Sequence, residues 1–226
     1  MRFIKSLPDP IINCYKKDVY QPSDDTYLII DYLKNNINEK YFDGIDIKNI
    51  EKILDLGTGT GIIAIFLQLL INILPNFNAE IYASDILKDA IECAKQNAKA
   101  NNLGEEIKFF ESNLFKSFPN SLKHSFDIII FNPPYLPSLK ENETKEIIDV
   151  SWNGGKRGYE ITINFLDTAI DFLNINHNCY IYFVSSSKAD LGKLNDLIKQ
   201  KNLKQQILHK KHLFFEDILL NRIELY

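Results

Sequence analysis

The sequence predicts an α/β fold: a mostly parallel sheet wound by helices on both faces and closed by a C-terminal antiparallel hairpin. Three observations predict it. From about residue 50 onward, short apolar runs alternate with segments of helical period. The runs are rich in Ile, Phe and Tyr rather than alternately polar and apolar, which is the pattern of strands covered on both faces. The chain then closes with two further runs and no helical segment between them.

Taken in order, a first helix is expected over residues 24–37, with Ser23 as its cap and Asp24 and Asp25 favouring the positive end of the helix dipole. Strands are expected at 52–56, 80–84, 107–111, 127–131 and 179–184, and helices at 62–74, 88–101, 159–173 and 188–200. Segment 62–74 is apolar on nearly every side, so it should be buried, and Pro75 ends it. Segment 88–101 is amphipathic, with Ala90, Ile91, Ala94 and Ala98 on one face. Runs 203–209 and 218–226 are expected to form the hairpin. With no repeat and no low-complexity linker, residues 1–50 read as an extension and helix packed on a core domain of residues 51–226, one globular unit overall.

Composition narrows the function classes. A chain of 226 residues suits one domain, and 26 basic against 30 acidic residues give a net charge of −4. That balance weighs against duplex binding, which needs a basic face to displace counterions. Cys14, Cys93 and Cys179 form no CxxC pair, so neither a disulfide framework nor a zinc knuckle is expected, and a reducing compartment fits. His124, His177, His209 and His212 show no repeated ligand spacing and read as surface residues, so no metal is expected. Residues 1–6 do not resemble a secretory signal, and the longest apolar stretch falls short of the ~20 residues of a membrane span. The expectation is a cytoplasmic protein.

The run Asp55-Leu56-Gly57-Thr58-Gly59-Thr60-Gly61 joins the first core strand to the buried helix. Glycines there permit positive φ and close approach of a ligand to the backbone. The spacing departs from the dinucleotide fingerprint, whose third glycine would fall at Ile62. Asp55 would repel a pyrophosphate but suits a cation. S-adenosylmethionine (AdoMet) carries an ammonium and a sulfonium and no phosphate, so it fits better than NAD. Asp85, with Ile86 beside it, ends the next strand, where a carboxylate can accept both ribose hydroxyls; capping the following helix is its bland alternative. Asn113 and Leu114 follow the third strand, where an amide and a backbone N–H could read an adenine edge. Asn113 is also an ordinary turn residue.

The fourth strand runs straight into Asn132-Pro133-Pro134-Tyr135. Two prolines remove two donors and fix φ, and each holds the residue before it extended. An amide or aromatic NH2 attacks a methyl sulfonium only if its lone pair is aimed along the breaking bond. The Asn132 side-chain oxygen and the Pro133 carbonyl could each accept one N–H, and Tyr135 could stack on the planar group. Positioning of this kind is the main lever for in-line displacement. A Pro-Pro pair alone could merely punctuate a strand end. Its place downstream of the glycine loop and Asp85 is what points to N-methyl transfer.

These stretches, together with Val19–Thr26 and the glycine-rich residues 151–158, resemble the HemK/PrmC family of protein-glutamine methyltransferases. The likeness is to the compact archaeal and eukaryotic branch acting on class I translation release factors. It implies a Rossmann-like class I methyltransferase fold with a seven-stranded sheet, AdoMet as donor, and the glutamine of a GGQ loop as acceptor. It also implies a cofactor site of Thr26, Asp55, Gly57, Thr58, Gly59, Gly61, Asp85, Ile86, Asn113, Leu114 and Asn132, with Asn132 and the Pro133 carbonyl gripping the acceptor amide. Many relatives have Asp at the position of Asn113. Bacterial members carry a helical recognition domain for which the fifty residues before the first core strand leave no space. The branch further implies a small zinc-binding activator subunit, seated on the edge of the third strand at Ile107, Phe109 and Phe110. An edge covered by the protein's own loops is the alternative. Residues 152–158 either shape the mouth beside Asn132 or simply turn into the next helix.

Two rival functions stand. A nucleic-acid base methyltransferase would use the same Asn-Pro-Pro-Tyr on an exocyclic amine, but the basic clusters Lys16-Lys17, Lys156-Arg157 and Lys210-Lys211 are short. An idle AdoMet-binding subunit would have no need of intact Asp55, Asp85 and Asn132–Tyr135.

Overall fold

The computed structural model describes residues 7, 9–138, 152–176 and 178–225. Residues 1–6, Ser151 and His177, on which some of the readings above fall, lie outside the described residues. Helix α1 (Asp24–Asn36) precedes a two-residue hairpin, β1 (Tyr41–Phe42) and β2 (Ile45–Asp46). The core follows as β3 (Lys52–Leu56), α2 (Ile62–Ile73), β4 (Glu80–Asp85), α3 (Lys88–Ala100), β5 (Ile107–Glu111) and β6 (Ile128–Phe131). Then come α4 (Glu160–Ala169), β7 (Tyr180–Ser186), α5 (Leu191–Gln200), β8 (Leu203–Leu213) and β9 (Glu216–Leu225).

The expected seven-stranded sheet is present, in the order β5-β4-β3-β6-β7-β9-β8. Strands β3 to β7 are mutually parallel, β9 runs antiparallel to β7, and β8 antiparallel to β9. The winding reverses between β3 and β6, so a crevice opens where their carboxyl ends diverge, the usual ligand position in such sheets. Alternate strand residues enter opposite cores. Ile53, Ile81, Ile128, Ile130 and Val184 pack with α1 and α2, whereas Leu54, Tyr82, Ile129, Phe131 and Phe183 pack with α4 and α5. Both faces are therefore dry, which is why these strands read as continuous apolar runs.

Several boundaries differ for local reasons. Ser23 precedes α1 but makes no side-chain cap bond, contrary to expectation. The last helix starts at Leu191 rather than 188, because the Asp190 side chain caps Lys193 N–H while Ser186 Oγ takes Lys188 N–H. Segment 159–173 ends in a 3-10 turn at Ile170–Phe172. Strand β8 runs to Leu213, past the expected 209, with a register shift between Ile207 and His209. The β1–β2 hairpin is unanticipated, although its Asp43-Gly44 turn, with φ of +46° and +89°, uses a favoured hairpin dipeptide. Among the described residues no helix is long and apolar enough to cross a membrane.

Candidate active site

At the end of β3 the backbone turns through Gly57, Gly59 and Gly61, all at positive φ (+67°, +55° and +84°). Gly61 is required twice over: a Cβ there would lie 2.9 Å from the Ala94 Cβ, so its absence lets α2 and α3 meet. Asp55 lies beneath this loop, 1% exposed, and its Oδ2 accepts from Thr58 Oγ1 at 2.6 Å and Ala64 N at 3.2 Å. Burial pushes its carboxyl up from 3.8 to about 7 against the pull of those two donors. The carboxylate therefore shapes the loop from below.

Asp85 is the staple between neighbouring loops. Its Oδ2 accepts from Gly59 N and its Oδ1 from Leu87 N, both at 2.9 Å, and desolvation raises its pKa. It sits ahead of α3 rather than at the cap position, which Leu87 occupies. The Ile86 N–H also acts on this carboxylate, which with about four lone-pair sites keeps acceptor capacity for a further donor. Ile86 beside it is 44% exposed. The next loop is tied in through Ser112 N to Asp85 O at 2.8 Å, and it carries exposed Asn113 and Leu114 at φ +50°.

Strand β6 is wholly buried up to Phe131, and Asn132 follows. The Asn132 side-chain oxygen is buried and has no hydrogen-bond partner among the described residues. Such an acceptor costs about 1–3 kcal/mol unless a donor arrives. Tyr135 is anchored: its hydroxyl donates to Asp25 Oδ2 at 3.0 Å. Asp25, 3% exposed, also accepts from Tyr20 Oη at 2.8 Å and Thr26 N at 2.6 Å. Burial and the Asp25 charge raise the pKa of both tyrosines, so both hydroxyls stay protonated donors. Thr26 is buried with its hydroxyl toward Asp25, and the Tyr20 carbonyl faces Gly59. The segment before α1 thus meets both the glycine loop and the Asn-Pro-Pro-Tyr turn.

Residues 152–158 lead into α4 and also pack against the Asn-Pro-Pro-Tyr turn. Leu136 exchanges backbone bonds with Trp152 and Gly154, and the Glu160 carboxylate gathers Arg157 N and Tyr159 N at the start of α4. A Cβ on Gly154 would lie 2.8 Å from Pro134 O, Tyr135 Cα and Gly158 O, and one on Gly158 would lie 2.5 Å from Tyr135 O. Glycine is what permits this contact. From sequence, Asp25 has only a place at the positive end of the helix dipole, and Gly154 and Gly158 only a place in the 152–158 stretch; the contacts that link Asp25, Tyr20 and both glycines to the Asn-Pro-Pro-Tyr turn are additions. An acidic residue and an aromatic five positions apart, bracketing a proline, were the only local signal.

Among the described residues strand β5 lies at the edge of the sheet, paired with β4 alone. Ile107 is buried, whereas Phe109 and Phe110 are partly exposed, with Phe110 stacked against Tyr82 and Phe118.

Comparison with known proteins agrees with this architecture. A chain of Methanocaldococcus jannaschii, provisionally named a protein N5-glutamine methyltransferase, is 29% identical over 203 residues, 90% of each chain. The human methyltransferase HEMK2 is 26% identical over 186 residues, covering 82% of this chain and 80% of its own. Among solved structures, the E. cuniculi Mtq2-Trm112 complex, described as responsible for methylation of the eRF1 translation termination factor, contains a chain that superposes with a TM-score of 0.59. That chain is 21% identical, with 92% of this chain and 99% of its own covered. The sequence matches the methyltransferase small domain over residues 33–163, more than half of its length, and the relatives bear out the HemK/PrmC resemblance. The chain belongs to the methyltransferase small domain family.

Proposed function

We propose that this protein methylates the side-chain amide nitrogen of the GGQ glutamine in a class I translation release factor, with AdoMet as donor. The observation that carries the reading is the unpartnered, buried Asn132 oxygen at the end of β6, held by two prolines. A primary amide supplies the N–H it lacks. The names of the relatives, which include a protein N5-glutamine methyltransferase and the eRF1 methyltransferase catalytic subunit of Schizosaccharomyces pombe, point to the same acceptor.

The residues present fit the donor. The glycine loop leaves open backbone at Gly57 and Gly59, and the Asp85 oxygens retain acceptor capacity for a ribose diol. Thr58, Gly61, Ile86, Asn113, Leu114 and Thr26 would complete its surround. Bound AdoMet would supply an electrophilic methyl on a sulfonium, a leaving group needing no further activation. This chain's own work is positional. Asn132 Oδ1 accepts one amide hydrogen and the Pro133 carbonyl the other, so the nitrogen lone pair is fixed in direction. Methylation of a nitrogen so held would leave it one surplus proton, which would pass to solvent. Asp25 lies behind Tyr135 with its oxygens occupied, and Asp55 lies under the loop, so neither serves as base. Tyr135 steadies the turn.

The open β5 edge would receive a small zinc-binding activator subunit by strand addition. The test is incubation with AdoMet and the host's class I release factor, with and without that subunit, followed by mass spectrometry of the GGQ peptide. One added methyl on the glutamine supports the reading. No methyl in any arm, with AdoMet binding intact, refutes it.

A further inference from the structure

The β8–β9 hairpin outruns the sheet it belongs to. Strand β7 ends at Ser186 opposite Ile218, yet β8 and β9 continue pairing through His212↔Asp217 and Leu213↔Glu216 before turning at Phe214-Phe215. Those two phenylalanines are 95% and 89% exposed, the most exposed large apolar side chains among the described residues. Two adjacent bare rings at a projecting tip have no role in the fold, and aromatic side chains of this kind anchor protein interfaces.

Registers fix where the tip stands. Phe131 is level with Phe183, three residues before Ser186 on β7, and Ile218 lies three residues from Phe215. At ~3.3 Å per residue and ~4.8 Å per strand, the tip rises roughly 20 Å from Asn132, at the same carboxyl end of the sheet. It is braced toward the site, since Lys211 pairs with Asp24 at 2.7 Å, next to the Asp25 that holds Tyr135. The lysines there are matched one to one, Lys210 with Asp217 at 2.6 Å and Lys211 with Asp24, and the His212 ring lies 2.8 Å from the same Asp217. A neutral collar around apolar rings suits a protein surface and ill suits a phosphate backbone.

We propose that Phe214 and Phe215 dock the folded acceptor protein, seating in an uncharged apolar depression on its body while its amide side chain reaches Asn132. This rests on the acceptor being a protein, as proposed above. The spacing means that a pentapeptide centred on the acceptor glutamine, reaching only ~7 Å to either side, cannot touch the tip.

The experiment compares wild type with the double variant F214S/F215S on intact release factor and on that pentapeptide. The expected result is a fall of at least about tenfold in kcat/KM on the folded acceptor, through KM, with the pentapeptide value unchanged. Direct titration of release factor onto both proteins gives a second readout, with the same loss in affinity expected. Unchanged kinetics and affinity with the folded acceptor overturn the proposal, as does an equal loss on both substrates. Loss of single-stranded RNA binding with protein kinetics intact would assign the tip to nucleic acid instead. If wild type methylates neither protein nor peptide, the function itself falls; a defect confined to the variant concerns the tip alone.

Discussion

Gly154→Ala is the most informative change outside the reacting groups. Its new Cβ would stand 2.8 Å from Pro134 O, Tyr135 Cα and Gly158 O, all three backbone atoms. Ordinary contacts of this kind lie near 3.5 Å, so the Asn-Pro-Pro-Tyr turn must move by roughly 0.7 Å, since no flexible side chain can yield instead. Overpacking of this sort costs about 1–3 kcal/mol, which for a chain of this size lowers Tm by roughly 2–12 °C. A 1 Å misplacement of a reacting group can cost about a hundredfold in rate, so kcat should fall between about 10- and 100-fold. AdoMet affinity should stay within about threefold, because the glycine loop and Asp85 are not touched. Steady-state methylation of the release factor, AdoMet titration and a melting curve measure the three quantities. A folded variant whose kcat stays within about twofold of wild type would refute the idea that this turn positions Asn132. So would a loss of AdoMet affinity equal to the loss of rate.

Other consequences follow from individual side chains. Asp85→Ala removes two charge-assisted backbone bonds and the acceptor proposed for the ribose, and should weaken AdoMet binding at least about tenfold by calorimetry; unchanged affinity would remove Asp85 from the proposed site. Burial raises the Asp55 pKa from 3.8 to about 7, so the folded state binds the proton more readily than the unfolded chain between those values. Ligand-free stability should therefore be greatest below about pH 4 as far as this group is concerned, and decline as pH rises to about 7. Asp55→Asn should abolish that part of the slope, and identical Tm–pH slopes would contradict it. Arg222 and Asp43 form an ion pair at 2.8 Å with side chains only 13% and 11% exposed, and Asp43 also accepts from Tyr32 and Tyr182. Arg222→Leu leaves that carboxylate with its tyrosine partners alone and should cost about 2–3 kcal/mol in denaturant unfolding, with single-turnover methylation within about twofold of wild type. A neutral effect on stability would show the pair to be dispensable.

What the sequence revealed, and what it hid, follows the range of the interactions. The central strands β3, β4, β6 and β7 were legible because both faces of their middles are buried, leaving short runs dominated by apolar residues, and edge strand β5 by its Ile and two Phe. The glycine loop, Asp85 and Asn132 were legible because each sits at a strand end in a local pattern. The late start of α5 was not, since Ser186 and Asp190 decide it by side-chain bonds that compete with the helix. The far half of β8, Lys210–Leu213, reads as polar loop because its pairing with β9 is satisfied on an open surface. Asp25 was visible only as a first-turn acid, whereas its hydrogen bond to Tyr135 spans 110 positions. Gly154 likewise takes its meaning from a turn about twenty residues earlier in the chain.

The central claim is that the orphaned Asn132 oxygen holds the acceptor amide. Its most direct test is the single-turnover methylation rate of Asn132→Ala on the release-factor GGQ glutamine, with AdoMet affinity measured on the same sample. The account predicts a fall of about 10²–10³ in rate, the effect of losing one preorganised hydrogen bond at a reacting group, with AdoMet affinity nearly unchanged. A rate within about tenfold of wild type, or a loss explained entirely by weaker AdoMet binding, would contradict it.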